Sequence, residues 1–143
     1  MANGSDPQDL ERVAHHAMRM VADGMAIGLG TGRAAEAFIH ALGARSRAGL
    51  RVRVVVTSTR SEELARRLNL DVASLSDVDR LDLAFDGADE VTPELALTKG
   101  LGGALLRERV VAYEAQRFVV LVTPEKLGDR LGTRSPIPVE VVP

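Results

Sequence analysis

Asp86, Asp89, Lys99 and Glu108 crowd into the stretch LDLAFDGADEVTPELALTKGLGGALLRER, residues 81–109, at points where a fold ordinarily places turn residues or core. Asp86-Gly87-Ala88-Asp89 follows an apolar run. The glycine allows a sharp turn that faces both carboxylates into one crevice, and paired aspartates can grip sugar hydroxyls. The plain alternative is that Asp86 ends a strand while Asp89 or Glu90 caps a turn, a common use of aspartate. Glu108 is the more telling residue. Its neighbours at helical spacing, Ala104, Leu105, Val111, Ala112 and Ala115, are all apolar. A carboxylate on such a stripe is costly unless it is paired or its pKa rises, and a glutamate tuned toward about 6 to 7 suits a general base. A structural ion pair with Lys99 or an arginine satisfies the same pattern. Lys99 precedes Gly100, where a helix begins, so its ammonium can reach an oxygen held at that helix N-terminus; otherwise it is a solvated loop lysine.

A second cluster is built from glycine. Gly28-Leu29-Gly30-Thr31-Gly32 lies where a strand hands over to a helix, so backbone N–H groups and the helix N-terminus can cradle an anion, a phosphate above all. A tight turn that binds nothing is the alternative, since glycine is the default residue of such turns. The dinucleotide fingerprint asks for a third glycine at position 33 and an acid about 20 residues on. Arg33 stands there instead, and the next strand carries Arg51 and Arg53 with no acid at its end, so NAD is not the expected guest. Lys126 carries little signal by itself, and His15 and His16 receive no function.

The elements that must position these groups are readable from periodicity. Leu10, Val13, Ala14, Ala17, Met18 and Val21 recur at helical spacing after a start signal at Ser5 or Asp6 before Pro7, giving a helix that ends near Asp23-Gly24. MAIGLG then reads as strand into glycine turn, with a helix through Ala35, Phe38, Ile39 and Leu42. Val52 to Val56 is a strand, Ser58 or Thr59 a cap, and Leu64, Ala65 and Leu68 the next helix. Short strands are expected over Leu70 to Leu75, Leu81 to Phe85 and, more weakly, Leu95 to Thr98. A helix from about Gly102 to Gln116, a buried strand over Phe118 to Val122 and a turn or helix at Glu125 to Leu127 complete the pattern. Strands alternating with helices predict an α/β, Rossmann-like, mostly parallel doubly wound sheet with flanking helices. In such sheets ligands bind at the C-terminal ends of the strands, where the glycine turn and the Asp86 segment both fall.

Composition narrows the class. A chain of 143 residues with 45% apolar content fits one domain with a real core. Aromatics are only 3%, so that core must be aliphatic, as in parallel sheets. The net charge of −2, with scattered arginines, predicts no nucleic-acid partner. With no cysteine and three histidines lacking metal-ligand spacing, no metal is expected. A polar start and the lack of an apolar run near the roughly 20 residues of a membrane span predict a soluble, cytoplasmic protein without membrane association.

Taken together and in order, the motifs resemble ribose-5-phosphate isomerase of the A type: GLGTG at Gly28 to Gly32, TST at Thr57 to Thr59, FDGADEV at Phe85 to Val91, TKGLGGALLRER at Thr98 to Arg109, and TPEKLGDRLG at Thr123 to Gly132. The resemblance implies interconversion of D-ribose 5-phosphate and D-ribulose 5-phosphate through an enediolate, with no cofactor and no metal. Glu108 would then shuttle the proton between C1 and C2, Asp86 and Asp89 would contact sugar hydroxyls and assist ring opening, and Lys99 would stabilise charge on oxygen. Gly30, Thr31, Gly32, Arg33 and Ala34 on one side, and Gly87, Ala88, Gly100, Leu101, Gly102 and Lys126 on the other, would line the substrate. It also implies a homo-oligomer, dimer or tetramer. The PIPVEVVP ending looks like the point where family members enter a smaller second domain, so residues 1–143 are expected to form a single α/β catalytic domain without it.

Two departures bear on the site. The family usually reads GTGST where this chain has Gly30-Thr31-Gly32-Arg33-Ala34, losing two hydroxyls and gaining a guanidinium that can bind phosphate bidentately or fill the pocket. Leu101 interrupts the usual glycine run after the lysine, and a leucine forced to positive φ would carry strain of order 1 to 3 kcal/mol and reshape the loop. The rival readings are a non-catalytic sugar-phosphate sensor on the same fold and an inactive chain that scaffolds an oligomer.

Overall fold

A computed structural model describes residues 5–141 of the chain. Helix α1 (Pro7–Ala17) starts on Asp6, whose side chain accepts from the Gln8 N–H, with Pro7 at the first helical position. It is shorter than the periodicity predicts: Met18–Met20 tighten into a 3-10 turn, and the chain then enters β1 (Ala26–Leu29). Helix α2 (Arg33–Arg47), strand β2 (Arg53–Val56) and helix α3 (Thr59–Arg67) follow, the last capped by the Ser58 side chain on the Ser61 N–H. The strand expected over Leu70 to Leu75 is only β3 (Asp71–Val72), because Leu75–Asp77 close a 3-10 turn with a capping box between Ser74 and Asp77. Strand β4 runs Leu81–Gly87, two residues past the apolar run, so Asp86 lies within the strand. Strands β5 (Glu90–Val91) and β6 (Leu97–Thr98) pair antiparallel in a small separate ribbon. Helix α4 occupies Leu105–Glu114, and β7 begins at once with Ala115 and ends at Leu121, so Gln116 belongs to the strand and not to the helix. Pro124–Lys126 form a 3-10 turn. The last two residues of the PIPVEVVP ending lie outside the described residues.

The main sheet has five strands in the order β3-β2-β1-β4-β7, every pairing parallel. Alternation along the strands separates two apolar layers. Ile27, Leu29, Val54, Leu83, Phe85 and Leu121 face a core shared with α1, α2 and α3 through Ala14, Phe38, Ile39, Leu42 and Leu64, where the Phe38 and Phe85 rings stack at 4.1 Å. Val55 and Ala84 face the other way, onto Val111 of α4, in a smaller cluster that Leu81 joins at the start of β4. Gly28 is required on that second face, because a Cβ there would overlap the Val111 side chain and hold α4 away from the sheet. The chain runs outward from β1 to β3 and then returns to β4 beside β1, so the order reverses between β1 and β4. Their C-terminal ends open the crevice in which α/β sheets bind ligands. Among the described residues no helix is long and apolar enough to cross a membrane.

Candidate active site

At that reversal Gly30 follows β1 and Asp86 is the last residue but one of β4, and the two are in direct contact. A Cβ on Gly30 would overlap Asp86 Cγ and Oδ1, so glycine is demanded by close approach. Asp86 Oδ1 accepts from the Thr31 N–H at 3.2 Å and the Gly87 N–H at 2.7 Å, and Oδ2 lies 3.0 Å from Lys99 Nζ. The Thr31 hydroxyl is turned inward, within 3.0 Å of Thr57 Oγ1 and 2.8 Å of Ser58 Oγ, while Ser61 Oγ donates to the Gly30 carbonyl. The TST motif thus braces the glycine turn, a role its position in the sequence did not disclose.

Lys99 is the hub. Its ammonium donates to the Gly87 carbonyl at 2.6 Å, pairs with Asp86, and lies 3.4 Å from Glu108 Oε2, too poorly aligned to make a hydrogen bond. The ion pair allowed by the sequence is therefore present, yet Glu108 retains a buried oxygen without a hydrogen-bond partner among the described residues. Glu108 sits in the first turn of α4 with only 6% of its surface exposed, and Arg107 and Arg109 on either side point to solvent. Burial pushes its carboxyl above the usual glutamate range, the negative charge of Asp86 adds to the rise, and Lys99 opposes it. Asp86 is raised by the same burial, opposed by Lys99 and by its backbone donors.

Above this floor lies a cavity of about 790 Å³. One side is made by Thr31, Gly32, Arg33 and Ala34, and the opposite side by Gly87, Ala88, Asp89, Lys99, Gly100, Leu101 and Gly102, with Glu108 and Lys126 also lining it. These are the residues singled out in the sequence, with two exceptions. Gly30 and Asp86 are not among the lining residues; Asp86, 3% exposed, lies beneath the cavity and acts on it through Thr31 and Lys99. Asp89 accepts from the Leu101 N–H at 3.1 Å, fixing the loop after Lys99. That loop carries none of the strain expected of Leu101: Gly100 and Gly103 take the positive φ values, at 106° and 82°, and leave leucine in ordinary backbone. Ser5, Glu125, Arg134 and Ser135 also line the cavity, and the sequence offered no signal for them. Among the described residues no group of three or more His, Asp or Glu side chains is arranged to hold a metal ion.

Two groups of charged side chains line the cavity: Lys99 and Asp89 beside Glu108, and Arg33, Arg134 and Lys126 about Ser5 and Glu125. Arg33, at the start of α2, donates to the Ser5 carbonyl at 2.7 Å, and Thr123 Oγ1 donates to Glu125 at 2.6 Å, with Ser5 Oγ bonded to the same carboxylate. A small molecule that carries both an anionic group and hydroxyls or a carbonyl matches this lining.

The family model for ribose 5-phosphate isomerase A (phosphoriboisomerase A) matches residues 53–143. The chain belongs to that family. Ribose-5-phosphate isomerase A of Roseiflexus sp. (strain RS-1) is 52% identical over 134 residues, 92% of this chain and 58% of the relative. Among solved structures, ribose 5-phosphate isomerase A of Methanocaldococcus jannaschii superposes with a TM-score of 0.85 at 42% identity, covering 90% of this chain and 58% of the other. A D-ribose-5-phosphate isomerase in complex with phospho-erythronic acid superposes with a TM-score of 0.86 at 40% identity, covering 89% and 56%. The chain thus spans somewhat over half the length of the isomerase A relatives it matches. The parallel sheet and its helices are those of an isomerase A fold.

Gly30→Ala tests whether the contact beneath the cavity organises it. Overpacking of this kind costs typically 1 to 3 kcal/mol, and here it displaces Asp86 and, with it, Lys99. The expected result is a melting temperature lowered by several degrees, readable by thermal unfolding.

Proposed function

We propose that the chain interconverts D-ribose 5-phosphate and D-ribulose 5-phosphate by proton transfer through an enediolate. The observation that carries this reading is the buried carboxylate of Glu108, raised by burial and beside the ammonium of Lys99, in a cavity that Arg33, Lys126 and Arg134 also line. The ionised Glu108 takes the proton from C2 of the open-chain aldose, the electrons move to the carbonyl oxygen at C1, and the resulting enediolate is held by Lys99. Delivery of a proton from Glu108 to C1, after exchange of its carboxyl proton with solvent, and movement of the O2 proton to O1 yield the ketose. Asp89 faces the sugar hydroxyls, and Asp86 keeps Lys99 and the Thr31 loop in place for this chemistry. The phosphate belongs against Arg33, Lys126 and the N-terminus of α2. A single base contributes about 10² to 10⁴-fold, so stabilisation of the enediolate oxygens must supply much of the remainder. That a D-ribose-5-phosphate isomerase of the same fold is solved in complex with phospho-erythronic acid supports a sugar phosphate as ligand. A homo-oligomer, dimer or tetramer, goes with this reading and is checked by sedimentation.

The test is incubation of ribose 5-phosphate with the purified chain in D₂O. Ribulose 5-phosphate carrying solvent deuterium at C1 is the expected product; binding without exchange at C1 or C2 would replace the enzyme by a sugar-phosphate sensor. Arg33→Ser addresses the phosphate end. Charge-assisted hydrogen bonds are worth roughly 1.5 to 3 kcal/mol, so KM is expected to rise tenfold or more with kcat nearly unchanged. An unaltered KM would place Arg33 outside the binding surface and leave it as a clamp on Ser5.

A further inference from the structure

Glu90 stands beside Asp89 but belongs to no part of the chemistry above, and it is only 2% exposed. A buried carboxylate is retained at low cost only where donors replace its water. Its donors come from one loop: Gly132 N–H and Arg134 N–H at 2.6 Å each, with the Thr133 hydroxyl at 3.4 Å. The Ser135 N–H also turns toward it, and this set of backbone donors, Gly132 foremost, holds its carboxyl below the usual glutamate range. Gly132 takes φ 79°, the conformation that lets successive N–H groups converge on one carboxylate. Among the described residues the loop is also held by the Arg134 guanidinium on the Glu125 carbonyl and, locally, by the Thr133 hydroxyl on the Arg130 carbonyl.

The loop so held forms one wall of the cavity. Arg134 and Ser135 line it beside Arg33, Glu125 and Lys126. Ser135 Oγ is itself buried, with no hydrogen-bond partner among the described residues. Asp86, Asp89 and Glu90 thus each secure a different wall: the Thr31 turn, the Leu101 loop and the Gly132–Ser135 loop.

We propose that Glu90 is a positioning residue of the sugar-phosphate site, holding the Gly132–Ser135 loop so that Arg134 adds a further cation to the phosphate-binding end. This rests on the sugar-phosphate reading and deepens it. Arg134 reaches the phosphate by leaving or sharing the Glu125 carbonyl, and the charge at that end exceeds what Arg33 and Lys126 supply.

The experiment compares Glu90→Gln, Arg134→Ala, Arg134→Lys and the Glu90→Gln/Arg134→Ala pair, reading KM and kcat for ribose 5-phosphate and, separately, the Kd for inorganic phosphate. Arg134→Ala alters an exposed side chain and keeps the test valid if Glu90→Gln folds poorly. Expected are a KM and a phosphate Kd raised about tenfold in Arg134→Ala with kcat retained, partial recovery in Arg134→Lys, and a double variant no weaker than the worse single one. Phosphate binding that falls in Arg134→Ala in a chain without turnover upholds this inference while removing the isomerase reading. Phosphate affinity unchanged in Arg134→Ala, strictly additive effects in the pair, or no phosphate binding by the unaltered chain would overturn it.

Discussion

Glu108→Gln is expected to lower turnover of ribose 5-phosphate by about 10² to 10⁴-fold, the usual contribution of one positioned proton-transfer group, with sugar-phosphate affinity almost unchanged. The amide keeps the size and reach of the carboxylate but cannot hold the transferred proton. The same variant should melt at a higher temperature at neutral pH. Because the folded-state pKa of Glu108 lies above the unfolded value, the folded protein binds the proton more tightly than the unfolded chain does. Its favourable contribution is complete below the unfolded pKa and is lost as pH rises through the folded one, so an ionised Glu108 costs stability at pH 7. Asp86 behaves in the same direction. In the unaltered chain the acid limb of the pH profile of kcat/KM should therefore fall above the ordinary glutamate value. Parallel measurement of kcat, KM and melting temperature against pH checks all three consequences. Unchanged turnover in the glutamine variant would remove Glu108 from the proton-transfer role.

Lys99→Met is expected to have the largest effect on stability. Lys99 faces two carboxylates at once, Asp86 at 3.0 Å and Glu108 at 3.4 Å, and all three side chains are largely shielded from water. Removing the cation from a buried pair typically costs about 3 to 5 kcal/mol, which for a domain of this size corresponds to a drop in melting temperature of about 10 °C or more. The carboxylates left behind relieve part of this by taking up protons, so the deficit should shrink as pH is lowered from 7 toward 5. Turnover should fall with it, because the enediolate loses its stabilising charge. Chemical denaturation at several pH values, read beside kcat, separates the two effects. A loss of stability independent of pH would show that lost packing, rather than charge, accounts for the cost.

The residues that do the proposed chemistry were legible because their cost is local. A glutamate among five apolar helical neighbours, aspartates straight after an apolar run and a lysine against a glycine cluster each violate a pattern that periodicity makes visible. The order of the elements was legible for the same reason: alternation of two periods marks strand and helix, and the resulting β-α units allow few topologies. Boundaries were less so. The junction of α4 and β7 has no glycine or proline, so only strand pairing with β4 decides that Ala115 and Gln116 are extended. Leu70 to Leu75 has the composition of a strand, but the capping box between Ser74 and Asp77 closes a turn that ends it early.

By itself the sequence determined the fold class, the crevice at the strand ends and the set of side chains that meet there, since all of these follow from burial patterns and turn chemistry along the chain. Only the tertiary structure decided how those side chains divide the work. Packing Gly30 against Asp86 places that carboxylate under the cavity instead of within it, and Gly100 and Gly103 absorb the positive φ that would have strained Leu101. Residues remote in sequence, Ser5, Thr57, Ser58, Glu90, Glu125 and Arg134, join the site through hydrogen bonds between separate segments. Such contacts leave no periodic trace, because a hydrogen bond between distant loops depends on where the sheet brings them and not on the spacing of either loop's own residues.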